Sequence, residues 1–201
     1  MQDTEIFIVT GLSGSGKSLT LNVLEDSGFF CIDNLPITLM DTTIDFLQKK
    51  KQIKIAISVD ARDKKSIELL ISKLDLFKST YQNFNIIFLT ANNTNLLQRY
   101  SETRRRHPLS FQTNIFTEDK MSLTITECIN LERKLLEKVH EKSISIDTSR
   151  LKPSDLKQWI LKLIRINPKS SLVIVQSFAF KDGIPLDTDL VFDARCLPNP
   201  Y

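Results

Sequence analysis

The chain has 201 residues, 41% of them apolar and 25% charged, with a formal net charge of +3. This length holds one large domain, or one domain with a fragment of another, and so small a charge does not by itself argue for nucleic acid. No apolar run approaches the roughly 18 residues of a membrane span, and the acidic start Met1-Gln2-Asp3-Thr4-Glu5 does not read as a signal peptide.

Glu5 to Thr10 is an apolar, β-branched run and reads as a buried strand. Gly11-Leu12-Ser13-Gly14-Ser15-Gly16-Lys17-Ser18 follows and fits G-x-x-x-x-G-K-[ST]. Leu19, Leu21, Val23 and Leu24 then recur at helical spacing, so the motif has the strand–turn–helix setting it requires. Gly14 and Gly16 permit backbone angles that other residues resist. The N–H groups of such a turn point inward and, with the helix N-terminus, cradle a phosphate. Lys17 is placed to reach the β- and γ-phosphates, and the Ser18 hydroxyl to bind Mg²⁺.

The first helix is expected over Lys17 to Asp26 with Gly28 as its C-cap. Phe29 to Ile32 reads as a second strand, and Pro36 opens a helix with Ile37, Met40, Ile44 and Leu47 on its apolar face. Ile53 to Val59 is a third strand, followed by a helix through Ile67, Leu70, Ile71 and Leu74. Ile86 to Leu89 is a fourth strand, and Asn92-Asn93-Thr94 caps a helix that Pro108 should end near His107. A polar, mobile-looking loop to Lys120 precedes a helix over Ser122 to Val139, with Ile125, Ile129, Leu135 and Leu136 inward. Ile144 to Ile146 is a fifth strand, and Pro153 opens a helix through Leu156, Ile160, Leu163 and Ile164. Strands alternating with helices imply an α/β fold with a parallel, doubly wound sheet. The alternation stops near Asn167-Pro168. Leu172 to Phe178 and Leu190 to Phe192 read as strands without a crossover helix, so residues 1–167 are expected as one domain and 168–201 as the start of a second.

In open α/β sheets, ligands bind beyond the carboxyl ends of the strands. Asp33, Asp60, Arg62, Arg104, Arg105, Arg106 and Asp147 all stand at or beyond such ends. Asp60 terminates an apolar strand as a Mg²⁺-holding acid does, or serves as the N-cap of the next helix. Asp33 is its rival for metal or for a second substrate, and Asp147 reads as a turn former. The three arginines either supply a mobile cation over the γ-phosphate or form a solvated helix end favourable to the dipole. His107 and His140 read as surface residues and Trp159 as core. Cys31, Cys128 and Cys196 are odd in number and lack metal-ligand spacing, so a reduced, cytoplasmic protein is expected.

Several segments together resemble the RapZ/YvcJ family of bacterial P-loop nucleotide-binding proteins. They are the Gly11–Ser18 loop, Cys31-Ile32-Asp33-Asn34-Leu35-Pro36, Ser58-Val59-Asp60-Ala61-Arg62 and Tyr100-Ser101-Glu102-Thr103-Arg104-Arg105-Arg106-His107-Pro108. Ile146-Asp147-Thr148-Ser149, Gly183-Ile184-Pro185-Leu186-Asp187 and Asp193-Ala194-Arg195 continue the match. The resemblance implies ATP binding at Gly11 to Ser18, GTP binding at Asp60-Ala61-Arg62-Asp63, and slow ATPase and GTPase activity. Residues 168–201 would then be the first segment of a C-terminal domain. In some relatives that domain binds a small regulatory RNA and presents it to a ribonuclease. Three readings follow: a nucleotide-dependent switch, an RNA adapter in which nucleotide is regulatory, and a small-molecule kinase. A homo-oligomer is expected in each.

Overall fold

The computed structural model describes residues 4–59, 64–111, 123–165, 173 and 175–198. Five strands form its centre: β1 (Glu5–Gly11), β2 (Phe30–Ile32), β3 (Lys54–Ser58), β4 (Asn83–Thr90) and β5 (Ile144–Asp147). Their spatial order is β2-β3-β1-β4-β5, and every pairing is parallel. Ile8 of β1 lies opposite Ile57 on one side and Ile86 on the other. Parallel strands joined by crossover helices are covered on both faces, which is why these strands are near-continuous in Ile, Val, Phe and Leu.

Six helices provide the cover: α1 (Lys17–Asp26), α2 (Met40–Lys49), α3 (Lys64–Thr80), α4 (Asn93–Thr103), α5 (Ile125–Glu141) and α6 (Pro153–Ile164). The alternation of β1 assigns the two faces. Phe7 and Val9 pack with Leu21 and Leu24 of α1 and with Leu156 and Ile160 of α6. Ile6 and Ile8 pack with Met40 and Ile44 of α2, Leu70 and Leu74 of α3, Leu96 of α4, and Ile129 and Leu136 of α5. Full burial of each such side chain contributes about 1.5–3 kcal/mol relative to exposure.

Local signals set several boundaries. Gly28, at φ 86°, donates to Glu25, and Phe29 donates to Leu24, which closes α1 in a Schellman turn. Asn92 caps α4 by accepting from the Asn95 N–H at 2.8 Å. Two ends differ from expectation. The α4 helix stops at Thr103 because Arg104 turns left-handed, at φ 52°, four residues before Pro108, which opens a short 3-10 turn instead. The α5 helix starts at Ile125, not Ser122, because Thr124 and Glu127 form a capping box. Ile125 therefore lies in an exposed first turn, and Leu135 is half-buried.

The polar loop through Lys120 falls, from residue 112 onward, outside the described residues. The two C-terminal strands are not formed among the described residues: 173, 175–179 and 190–193 carry no ladder. A strand exists through its hydrogen-bonded neighbour, and β-branched composition alone does not supply one.

Candidate functional site: the loop between β1 and α1

The loop from Gly11 to Ser18 leaves the carboxyl end of the central strand, between β3 and β4. Gly11 has φ 132°, and a Cβ there would stand 2.1 Å from the Leu89 carbonyl oxygen. Only glycine allows the loop to leave β1 so close to β4. Gly16, at φ 112°, is the N-cap of α1 and supplies no capping side chain. The first-turn N–H groups of a helix have no intrahelical acceptor, and the first turn of α1 holds no acidic residue. The result is a glycine-rich concavity that presents backbone N–H groups and the positive end of a helix dipole, which fits a phosphate group.

Lys17 Nζ turns back over the loop, 2.8 Å from the Gly11 carbonyl oxygen and 3.1 Å from that of Leu12. Ser18 is exposed in the first turn of α1. Its oxygen fits the hard-cation chemistry of Mg²⁺. Among the described residues, no group of three or more His, Cys, Asp and Glu is assembled for a metal. Asp60, Ala61, Arg62 and Asp63, the expected second nucleotide segment, lie outside the described residues. Asp33 is exposed just past β2.

Three side chains remote in sequence hold the outside of the loop. Glu132 of α5 is buried, at 5% exposure, and accepts from the Ser13 N–H at 2.8 Å and the Ser13 hydroxyl at 2.6 Å. Burial raises its pKa. The bond from His107, the charge of Lys17 and the two Ser13 donors outweigh that and hold the carboxyl below its ordinary value. Arg99 of α4 donates to the Gly14 carbonyl at 3.0 Å and to the Thr148 carbonyl at 2.6 Å. Burial pulls the Arg99 pKa down, and the Asp147 and Glu102 carboxylates oppose the shift. The Thr148 hydroxyl lies 2.9 Å from the Ser15 carbonyl and 3.0 Å from that of Thr90, and accepts from Arg99. Arg133 continues this layer with bonds to the Ala91 carbonyl and the Asn93 side chain.

His107 is fully buried, contrary to its reading as a surface residue. Its ring packs 5.3 Å from that of Tyr100, and its Nε2 faces Glu132 at 3.3 Å. Nδ1 accepts from the Leu109 N–H, so Nε2 carries the proton and donates to Glu132. His140 is half-buried rather than on the surface: it stacks on Phe88 at 4.6 Å and reaches the Ser145 hydroxyl at 2.8 Å. Trp159 is only partly buried, on the flank of the Leu156–Ile160–Leu163 face. Arg104, Arg105 and Arg106 are exposed, directly before His107.

Asp147 does make its turn, accepting from the Ser149 N–H at 2.9 Å, and it does more. Its second carboxylate oxygen accepts from the Leu186 N–H at 3.0 Å, and its own N–H donates to Asp187 at 2.9 Å. The C-terminal segment is thereby tied to the end of β5. Glu132, Arg99 and Arg133 escaped the sequence reading. For Glu132 a signal existed: it shares the inward helical face of Cys128, Ile129, Leu136 and Val139, where an acid is out of place.

Fold and loop together define a P-loop α/β protein. The backbone is similar to that of an unliganded sugar kinase from Janibacter sp., with a TM-score of 0.50 over 82% of this chain and 96% of that one, at 15% identity. Residues 4–168 match the RapZ-like N-terminal domain and residues 171–201 the RapZ C-terminal domain. The chain belongs to the RapZ-like family. Two relatives, each named nucleotide-binding protein, are 44% identical over 198 residues (Dechloromonas aromatica) and 45% over 197 residues (Laribacter hongkongensis). Each alignment covers 98% of this chain and 67% of the relative.

Proposed function

We propose that the Gly11–Ser18 loop binds the phosphates of a nucleoside triphosphate, ATP or GTP, as part of a slowly hydrolysing regulatory switch. The observation that carries this reading is the α1 N-terminus behind Gly16, without a capping side chain, under a lysine that donates to the loop carbonyls of Gly11 and Leu12. The names of the relatives support it. Lys17 leaves those carbonyls for the β- and γ-phosphates. Gly14, Gly16 and Ser18 offer backbone donors, and the helix dipole favours the negative charge. Mg²⁺, when bound, neutralises phosphate charge; Ser18 and Asp60 would hold it. Asp60-Ala61-Arg62-Asp63 is the proposed GTP-contacting segment. Arg104, Arg105 and Arg106 are proposed to supply a cation as charge develops on the γ-phosphate.

Titration of the protein with ATP and GTP, with and without Mg²⁺, tests the reading. Lys17→Ala should abolish binding of both while leaving the melting temperature unchanged; wild-type affinity in that variant rejects the cradle. Transfer of the γ-phosphate to a component of a metabolite mixture, rather than to water, would favour the kinase reading. The RNA-adapter reading rests on residues 171–201, which match the C-terminal domain of the family. Salt-dependent binding of a small structured RNA and a ribonuclease is its test.

A further inference from the structure

Glu132 is an ionised acid on an otherwise apolar helix face, and nothing in the packing of α5 calls for it. Holding a charge in the interior is costly unless every donor around it is well placed. Here the donors have two origins. Ser13 of the phosphate loop supplies its N–H and its hydroxyl, at 2.8 and 2.6 Å. His107 supplies its Nε2–H to the same Oε2 that accepts from the Ser13 N–H, at 3.3 Å, and that residue directly follows Arg104, Arg105 and Arg106. The imidazole is itself fixed by the Leu109 N–H and the Tyr100 ring. Tyr100 and Leu96 in turn line the space beside Gly14.

We propose that Glu132 is a positioning residue: it sets the phosphate loop through Ser13 and, through His107, couples that loop to the arginine segment. The inference rests on the nucleotide reading above. It adds a physical route by which occupancy of the loop is felt at residues 104–106. A change in the position of Ser13 moves the Glu132 carboxylate, and His107, whose Nε2 shares the Oε2 oxygen with the Ser13 N–H, follows it. Filling the cradle therefore orders the arginines next to the phosphates, and emptying it releases them.

Glu132→Gln keeps shape and removes the charge, but forces an NH₂ group against one of the donors. It should weaken ATP affinity about tenfold, the scale of one hydrogen bond to a charged group. Ser13→Ala should weaken it less, since the N–H bond survives. The double variant should be no weaker than Glu132→Gln alone, because both changes act on one contact. A structural role alone would not move a second readout: in wild type, ATP should slow amide exchange over residues 104–111, and Glu132→Gln should lose that response. His107→Gln keeps a donor towards Glu132 and should retain the response, whereas His107→Ala should lose it. If Glu132→Gln does not fold, Ser13→Ala and the His107 pair carry the test.

Multiplicative effects in the double variant, wild-type affinity in Glu132→Gln, or identical behaviour of the two His107 variants would each overturn the proposal. A wild-type protein that binds neither ATP nor GTP defeats the nucleotide reading itself. Wild-type binding with an indifferent Glu132→Gln defeats the coupling alone.

Discussion

The phosphate loop and the arginine segment are both short, both singled out by composition, and both meet the same buried Glu132–His107 pair. They are built in opposite ways. The loop is held from within by glycine backbone angles and from outside by Glu132, Arg99 and Thr148, each bonded to a named atom of the loop. The arginines stand exposed on a stretch that begins with a left-handed residue at the end of α4. A site that must present donors to a fixed phosphate position gains from rigidity. A group that acts only as charge develops can remain solvated until then. Stability and turnover should therefore respond to different halves of this site.

The largest effect should come from the rigid half. Gly11→Ala places a Cβ against the Leu89 backbone at a left-handed φ. Neither can yield without moving the central strands, so a loss of about 3–5 kcal/mol is expected in chemical denaturation. A variant as stable as wild type would show that the loop is far more plastic than its contacts indicate.

The exposed half should show the reverse pattern. At least one of Arg104→Ala, Arg105→Ala and Arg106→Ala should slow hydrolysis by roughly 10²–10³, or about 2.7–4 kcal/mol in the barrier, with affinity nearly intact. Their stabilities should stay within about 0.5 kcal/mol of wild type, as for other exposed sites. Three variants with unchanged turnover would reduce the segment to a solvated helix end.

Thr148→Val should cost an intermediate amount, about 1–3 kcal/mol of stability, because it takes the hydroxyl proton from the buried Ser15 carbonyl and an acceptor from Arg99, while the Thr90 carbonyl keeps the Thr148 N–H. Turnover per folded molecule should change little if the loop keeps its other two anchors. The smallest effect is on pH dependence. Glu132 has a folded pKa held below its ordinary 4.5, so its stabilisation is present above that pH and is lost as pH falls through the folded value. Glu132→Gln should flatten the acid limb of a plot of melting temperature against pH. An unchanged limb would assign acid sensitivity to other carboxylates.

Much of the fold was legible because it is local. Ile6 to Val9, Ile55 to Ile57 and Ile86 to Leu89 are apolar runs long enough for buried strands, and their alternation with helical periodicity implies a parallel sheet. The loop was legible for the same reason: φ-permissive glycines, a lysine and a serine at fixed spacing define it without reference to the rest of the chain. The end of α4, and the absence of a ladder among the described C-terminal residues, were not legible. A left-handed Arg104 and the want of a neighbouring strand are properties of the surroundings. The same holds for His107, which polarity and neighbouring arginines place at the surface, but whose ring the fold uses to meet a buried acid. Ser13 and Glu132 are separated by 119 positions. Periodicity can put Glu132 on an inward face, but only the packing of α5 against the carboxyl end of the sheet decides which atoms its carboxylate meets. The sequence by itself determined a parallel α/β scaffold with an anion-binding turn. The tertiary structure alone decided how that turn is anchored, because hydrogen bonds across such separations depend on where whole helices come to rest.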